Sequence, residues 1–212
     1  NQTGKSALLI FLAIKNVLTS SKNTNIVLIS KSLPQSQFLL AQMRNFLDNS
    51  KFSDWRSDIG ETSNTTVITF EQVINGRKII SRIICAPAGE GALGYPIHYL
   101  YPDEIDFYED AKILFWKVLF ARTKKTKGQI IAFSNPNPDI TRDESLLWDL
   151  WNGDLFKLKF HFMFLDAPWN SIEEYERDKA NSPSYIFCST HDGNFPDDMS
   201  GAFFKDSEIK DM

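Results

Sequence analysis

The chain has 212 residues, of which 42% are hydrophobic and 24% charged. That is enough length and apolar content to bury the core of one α/β domain or two small ones, and it excludes wholesale disorder. Lys+Arg 23 against Asp+Glu 27 leaves a net charge of −4, which excludes a small basic protein that coats nucleic acid through overall charge but leaves room for a local basic patch.

The chain opens Asn1-Gln2-Thr3-Gly4-Lys5-Ser6 and runs into Ala7–Ile14, an apolar run at helical spacing. Gly-Lys-Ser before a helix reads as the second half of a phosphate-binding loop. Amide N–H groups at the helix start face the phosphates and the helix dipole favours negative charge there. Gly4 admits close approach, Lys5 reaches the β- and γ-phosphates, and the Ser6 hydroxyl ligates Mg²⁺. The tripeptide alone fits equally an ordinary helix start with Ser6 near the cap. The helix is expected over Lys5–Thr19, with Leu8, Leu12, Val17 and Leu18 among its periodic apolar positions.

Asn25–Ser30 reads as a buried strand, and Gln35–Leu47 as a second helix with Phe38, Leu39, Met43 and Leu47 on one face and Pro34 in its first turn. A polar stretch over Asn49–Thr65 precedes two strands, Thr66–Phe70 and Lys78–Cys85. These flank Asn75-Gly76, a strong hairpin signal. Cys85 and Cys188 form neither a disulfide framework nor a zinc pattern and read as buried thiols of a reducing compartment.

Ile97–Pro102 is a short apolar run that ends in Asp103-Glu104. Read as a buried parallel strand, it delivers two carboxylates to the carboxyl edge, where α/β folds place their ligands. Asp103 would hold Mg²⁺ through water and Glu104 would polarise the attacking water, the division of labour that phosphoryl transfer needs. The same dipeptide also fits an acidic turn that opens the next helix. That helix is expected over Tyr108–Arg122 with Ile113, Trp116, Val118 and Phe120 mostly inward. It ends in Lys124-Lys125-Thr126-Lys127, a cluster that reads as a solvated helix end, with a DNA-phosphate role as the minority reading.

Gln129–Phe133 reads as the next strand, running into the polar loop Ser134-Asn135-Pro136-Asn137-Pro138. The alternation Phe156, Leu158, Phe160, Phe162 suggests a strand with one buried face rather than a base-stacking surface. His98, His161 and His191 are isolated and read as structural. Strand–helix alternation with buried strands gives an α/β fold, a mostly parallel sheet flanked by helices with a hairpin insertion. The longest apolar stretches, such as Ala7–Ile14 and Ile113–Ala121, are too short to span a membrane, and no membrane partner is expected.

In order, Gln2-Thr3-Gly4-Lys5-Ser6, Ser30 with Gln35-Ser36-Gln37, Gly91-Ala92-Leu93-Gly94, Tyr101-Pro102-Asp103-Glu104 and Phe133-Ser134-Asn135-Pro136 resemble the ATPase domain of large terminase subunits, the motors that package DNA into the procapsids of tailed viruses. Asp166-Ala167-Pro168-Trp169, the helix Ser171–Ala180, Gly193-Asn194-Phe195 and Gly201-Ala202-Phe203-Phe204 are similar to the segment closing that domain, so the resemblance covers nearly the whole chain.

The resemblance implies an ASCE-type P-loop NTPase domain over 1–190, whose first strand lies upstream, and a closing segment over 191–212 leading toward an absent nuclease. It implies ATP and Mg²⁺ as ligands, with Gln2, Thr3, Gly4, Lys5 and Ser6 binding nucleotide, Ser6 and Asp103 holding the metal, Glu104 and Lys5 catalytic, and Ser134 and Asn135 coupling hydrolysis to movement. Its implied partners are double-stranded DNA, a portal protein and a small terminase subunit, in a homo-oligomeric ring in the host cytoplasm. Leu93 stands before Gly94 where the family often carries arginine, so an arginine finger has no source in the usual place. A helicase-like translocase and a non-catalytic P-loop remnant acting as an interaction module are the alternatives.

Overall fold

The computed structural model describes residues 4–56, 66–89 and 96–196. The chain divides into two compact units, one of Ser6–Phe133 and one of Asn1–Lys5 with Ser134–Met212.

The first unit is built on a five-stranded sheet. Helix α1 (Lys5–Leu18) leads through six residues to β1 (Asn25–Ser30), followed by α2 (Leu33–Asp48), β2 (Val67–Ile74), β3 (Arg77–Pro87) and β4 (Tyr99–Pro102). A continuous helix, α3, then passes from α-helix over Ala111–Ile113 through a π-helical stretch, Leu114–Phe120, to α-helix again over Ala121–Thr126. Strand β5 (Gln129–Ile130) closes the unit. The strand order is β2-β3-β1-β4-β5. β1 pairs in parallel with both β3 and β4, β4 pairs in parallel with β5, and β2 pairs antiparallel with β3. This is the expected mostly parallel sheet with a hairpin.

Each element follows from its residues. β1 is buried at every position, as a central strand covered on both faces must be. β3 is exposed at its start and buried from Ile83 to Ala86, where it leaves the hairpin tip and pairs with β1. β2 alternates buried Ile68 and Phe70 with less buried neighbours, the pattern of an edge strand with one packed face. Asn75 (φ 53°) and Gly76 (φ 75°) both take the left-handed conformation that a tight type I′ connection requires. Helix α2 starts with a capping box: Ser32 accepts from the Gln35 N–H, the Gln35 side chain accepts from the Ser32 N–H, and Pro34 sits in the first turn.

The packed faces of the helices match the expected positions in part: Val17, Leu39, Met43 and Leu47 are buried. In α1 the packed residues are Leu9, Ala13, Ile14 and Val17, while Leu8 points outward. In α2 Leu39, Leu40, Met43 and Leu47 are buried and Phe38 is exposed. In α3 Ile113 and Trp116 are exposed, and Ala111, Phe115, Leu119 and Thr123 pack inward. That four-residue repeat would drift around an ordinary helix of 3.6 residues per turn. The wider π turns keep it on one line. Leu9, Ala13, Ile26, Leu28, Leu40, Met43, Ile68, Phe70, Ile83 and Tyr101 belong to one apolar cluster. A fully buried side chain of this kind contributes about 1.5–3 kcal/mol.

His98 is structural. Its Nδ1 accepts the Asn25 N–H at 3.0 Å, and burial, with Lys22 nearby, lowers its pKa. Gly128 follows the left-handed Lys127 and lies so close to the Ile97 and His98 carbonyls that a Cβ would stand 2.7 Å from each. Only glycine lets β5 begin there.

In the second unit, α4 (Leu146–Asn152) is capped by Ser145, α5 (Ile172–Asn181) by Ser171 in a capping box with Glu174, and α6 (Ser184–Thr190) follows. Phe164, Tyr175, Phe187 and His191 form an aromatic cluster. The His191 ring stacks on Phe187 at 4.5 Å and meets Asp178 at 3.2 Å, a contact that lowers the Asp178 pKa. Arg142 lies 4.8 Å over the Trp148 ring, which meets Phe195 edge-on.

The strand expected over Phe156–Phe162 does not form, and Leu158, Phe160 and Phe162 are exposed. Lys159 donates to the Trp151 and Gly153 carbonyls at 2.6 Å, and His161 Nε2 meets the Asp192 carbonyl at 2.7 Å. These bonds tie the segment to the end of α4 and to the chain near Asp192 instead of to a neighbouring strand.

Candidate active site

The two carboxylates stand at the carboxyl edge of the sheet in the Ser6–Phe133 unit. β4 ends at Pro102, and Asp103 continues the parallel pairing by an isolated bridge to Phe133. The Asp103 N–H donates to the Ile29 carbonyl at 2.7 Å and the Glu104 N–H to the Phe133 carbonyl at 2.7 Å. The acidic pair is thus held from both sides, by the ends of β1 and of the strand that continues β5. The Pro102 carbonyl accepts from the Phe133 N–H at 3.0 Å.

Glu104 takes φ 57°, ψ 48°, a left-handed conformation that costs a non-glycine residue roughly 1–2 kcal/mol. Strain of this kind persists where the surroundings over-determine it, and it clusters at functional sites. Besides the Glu104 N–H bond to the Phe133 carbonyl, the turn is held by Tyr108. Its hydroxyl lies 2.8 Å from the Ile29 carbonyl and 2.9 Å from the Asp103 carbonyl, and shares its single proton between them. Burial drives the Tyr108 pKa far up, and the neighbouring carboxylates Asp103 and Glu104 push it further, so it stays a neutral donor. Tyr108 was not among the candidate residues. Nothing in the sequence but a tyrosine soon after the acidic pair could have marked it.

Ser6 sits in the first turn of α1, in the same unit as the acidic pair. The C-terminal end of α1 connects by a short link to the amino end of β1, and α1 packs on the sheet. At 1.5 Å per residue its 14 residues run about 21 Å, and the six residues of β1 about 20 Å. The start of α1 is therefore carried toward the sheet's carboxyl edge. Its first turn holds no Asp or Glu, leaving the positive end of the dipole uncompensated.

In the other unit the expected phosphate lysine and the expected coupling loop meet directly. Lys5 Nζ donates to Asn135 Oδ1. The loop is itself fixed: Ser134 Oγ donates to the Asn135 carbonyl at 2.8 Å, Asn137 Oδ1 accepts the Asp139 N–H at 3.0 Å, and Ser189 Oγ on α6 donates to the Pro136 carbonyl. Gly4 takes φ 78°, and a Cβ there would stand 3.2 Å from the Trp169 ring. Trp169 is a second residue that the motif reading missed as a neighbour of the phosphate loop. Gln2, Thr3 and Gly91-Ala92-Leu93-Gly94 lie outside the described residues.

Ser6 and Asp103 are hard oxygen donors, the kind Mg²⁺ takes in small number while keeping water and phosphate in its shell. Among the described residues no three His, Cys, Asp or Glu side chains gather into a self-sufficient metal site.

No family model and no curated protein matches the chain. Solved structures do. The ATPase domain of the large terminase of Thermus phage P74-26 aligns over 92% of this chain and 86% of its own, with a TM-score of 0.67 and 12% identity. The large terminase of a thermophilic bacteriophage aligns over 92% of this chain and 46% of its own, at TM-score 0.66 and 15% identity. The same phage protein in complex with ATP-gamma-S gives 0.64 and 16%. The large terminase of bacteriophage HK97 gives 0.59 and 14%, with 45% of its length covered. The chain has the fold of these ATPase domains, and it spans under half the length of the longer terminases.

Proposed function

We propose that the chain is the ATP-hydrolysing part of a viral DNA-packaging motor. Lys5 and Ser6 would hold the triphosphate, Glu104 would orient the attacking water, and Ser134 and Asn135 would sense the γ-phosphate. The observation that carries the reading is the bond from Lys5 to Asn135. The lysine that motif logic assigns to the phosphates and the amide that the family resemblance assigns to coupling are direct partners. The terminase ATPase fold, seen with ATP-gamma-S in one of its relatives, supports it.

Each residue has a chemical task. The Lys5 ammonium, with three donors, would neutralise the β- and γ-phosphates. Glu104, presented in its left-handed turn, would accept a hydrogen bond from water and hold that water in line with the γ-phosphate. Ser6 and Asp103 would hold Mg²⁺, which when bound neutralises charge growing on the phosphate oxygens. Loss of the γ-phosphate would return Lys5 to Asn135. That would pull on the loop whose Pro136 carbonyl is held by Ser189 of α6, giving a mechanical path out of the site.

Double-stranded DNA, a portal protein, a small terminase subunit, a homo-oligomeric ring and the host cytoplasm belong to the same proposal. Among the described residues no helix is long and apolar enough to cross a membrane. The arginine finger of such a ring would come from outside the motif holding Leu93.

Isothermal titration of the intact protein with Mg²⁺-ATP tests the reading. Binding is expected in the wild type and loss of it in Lys5→Ala. Unchanged binding in Lys5→Ala would overturn the assignment. No Mg²⁺-dependent nucleotide affinity in the wild type would leave a P-loop remnant serving as an interaction module.

A further inference from the structure

We propose that the outward face of α3 binds the phosphate backbone of a duplex nucleic acid. The proposal deepens the motor reading by naming a surface for the polymer. Between Ala111 and Gly128 the chain carries Lys112, Lys117, Arg122, Lys124, Lys125 and Lys127 and no Asp or Glu. A chain of net charge −4 thus gathers six of its 23 cationic residues on one helix and its cap. Lys117, Lys124, Lys125 and Lys127 are exposed.

The π turns give this charge its geometry. Because the packed positions Ala111, Phe115, Leu119 and Thr123 repeat every four residues along one line, the positions between them do so too. Ile113, Lys117, Ala121 and Lys125 are all exposed and form the outward line. In an ordinary α-helix, residues eight apart are rotated by about 80°. The underwound stretch brings Lys117 and Lys125 back onto the same side. They stand at most about 12 Å apart along the axis, taking the α-helical rise of roughly 1.5 Å per residue, on the scale of the roughly 12 Å width of the B-DNA major groove whose walls carry the phosphates. Lys124 adjoins Lys125 in the last turn, and Trp116, which is 41% exposed, adjoins Lys117.

The helix dipole accounts for cations in the last turn. It does not account for Lys117 in the middle of the π stretch, nor for the absence of any acid along the face. Glu109 and Asp110 bound the strip at the start of the helix, so the positive surface runs from Lys117 to Lys127. A cationic line of regular spacing suits the regular phosphate ladder of a duplex. A single strand would instead follow exposed aromatic rings, and on this face Trp116 alone offers one.

The test is fluorescence anisotropy of a labelled 30-base-pair duplex of mixed sequence with the whole chain, over a series of KCl concentrations. Lys117→Gln/Lys125→Gln is compared with Lys15→Gln/Lys22→Gln as a control of equal charge loss elsewhere. Each phosphate contact contributes about 0.9 to the slope of log affinity against log salt. The α3 variant should flatten the slope by about 1.8 and weaken binding at least tenfold at low salt, and the control should do neither. Equal slopes in wild type and α3 variant, an equal effect of the control, absence of duplex binding at low salt, or tighter binding of a single strand through the same lysines would each overturn the proposal. Mg²⁺-ATP titration of the same variant separates the two readings. Retained nucleotide binding with an unchanged DNA slope sinks this surface alone, while a flattened slope without nucleotide binding in the wild type sinks the ATPase reading alone.

Discussion

Glu104 and Phe133 are joined by a 2.7 Å hydrogen bond from the Glu104 N–H to the Phe133 carbonyl, one residue beyond the parallel bridge between Asp103 and Phe133. The bond holds a glutamate in a left-handed turn at the end of a buried strand. It also links the acidic pair to the strand that leads directly into Ser134 and Asn135.

The strain at Glu104 has a measurable sign. Glu104→Gly removes the Cβ penalty of a φ of 57° while adding the entropy of a freer unfolded chain, about 0.5–1 kcal/mol. Thermal or urea unfolding should therefore show stability unchanged or raised by up to about 1 kcal/mol. A loss of about 0.5–1 kcal/mol or more, as expected for glycine inside ordinary structure, would show that the turn stores no strain.

Tyr108 acts on the site through the backbone. Tyr108→Phe keeps the ring but leaves the Ile29 and Asp103 carbonyls without the shared proton, at a cost of about 1–3 kcal/mol. The turnover rate should fall while ATP affinity holds, because the altered element positions Glu104 and not Lys5. Equal stability in the two proteins would remove Tyr108 from the account.

Asn135→Ala deletes the acceptor of Lys5 and leaves the loop's bond to Ser189 in place. In the wild type, ATP-gamma-S should change hydrogen-exchange protection over α6. In Asn135→Ala that change should disappear although nucleotide still binds. A full response in the variant would mean that the path to α6 does not run through Asn135.

The two thiols should behave differently. Burial pushes Cys85 from its ordinary 9.0 up to about 12, with Arg44 opposing weakly, whereas Cys188 is partly exposed. In the native protein Cys188 should react with a thiol reagent at pH 8 and Cys85 only after unfolding. Because the Cys85 pKa is raised on folding, its contribution to stability is complete below pH 9 and lost as pH rises from 9 toward 12. The limiting slope is about 1.4 kcal/mol per pH unit. Cys85→Ala should flatten the alkaline fall, and an unchanged slope would contradict the burial argument.

The sheet was legible because its signals are local. The apolar run Ile26–Ile29 of β1 and the Asn75-Gly76 turn each carry their structure in a few residues. The faces of the helices were less so. Phe38, Ile113 and Trp116 have the right spacing, but which side is packed depends on the neighbouring element, and in α3 on a π stretch that no simple period announces. The alternation Phe156–Phe162 has the period of a strand, yet a strand exists only where a partner ladder does, and periodicity does not contain the partner. In the candidate site the motif residues Gly4, Lys5, Ser6, Asp103 and Glu104 could be named from residue type and spacing. Tyr108 and Trp169 could not, because only the folded chain brings them against the Asp103 turn and Gly4.

The central step of the proposed function is that Glu104 holds the water that attacks the γ-phosphate. It is tested most directly by measuring ATP binding and single-turnover hydrolysis together in Glu104→Gln of the intact protein. The account predicts wild-type affinity for Mg²⁺-ATP with hydrolysis slowed at least a hundredfold, since the amide can still contact water but cannot act as its base. Hydrolysis at the wild-type rate in that variant would contradict it.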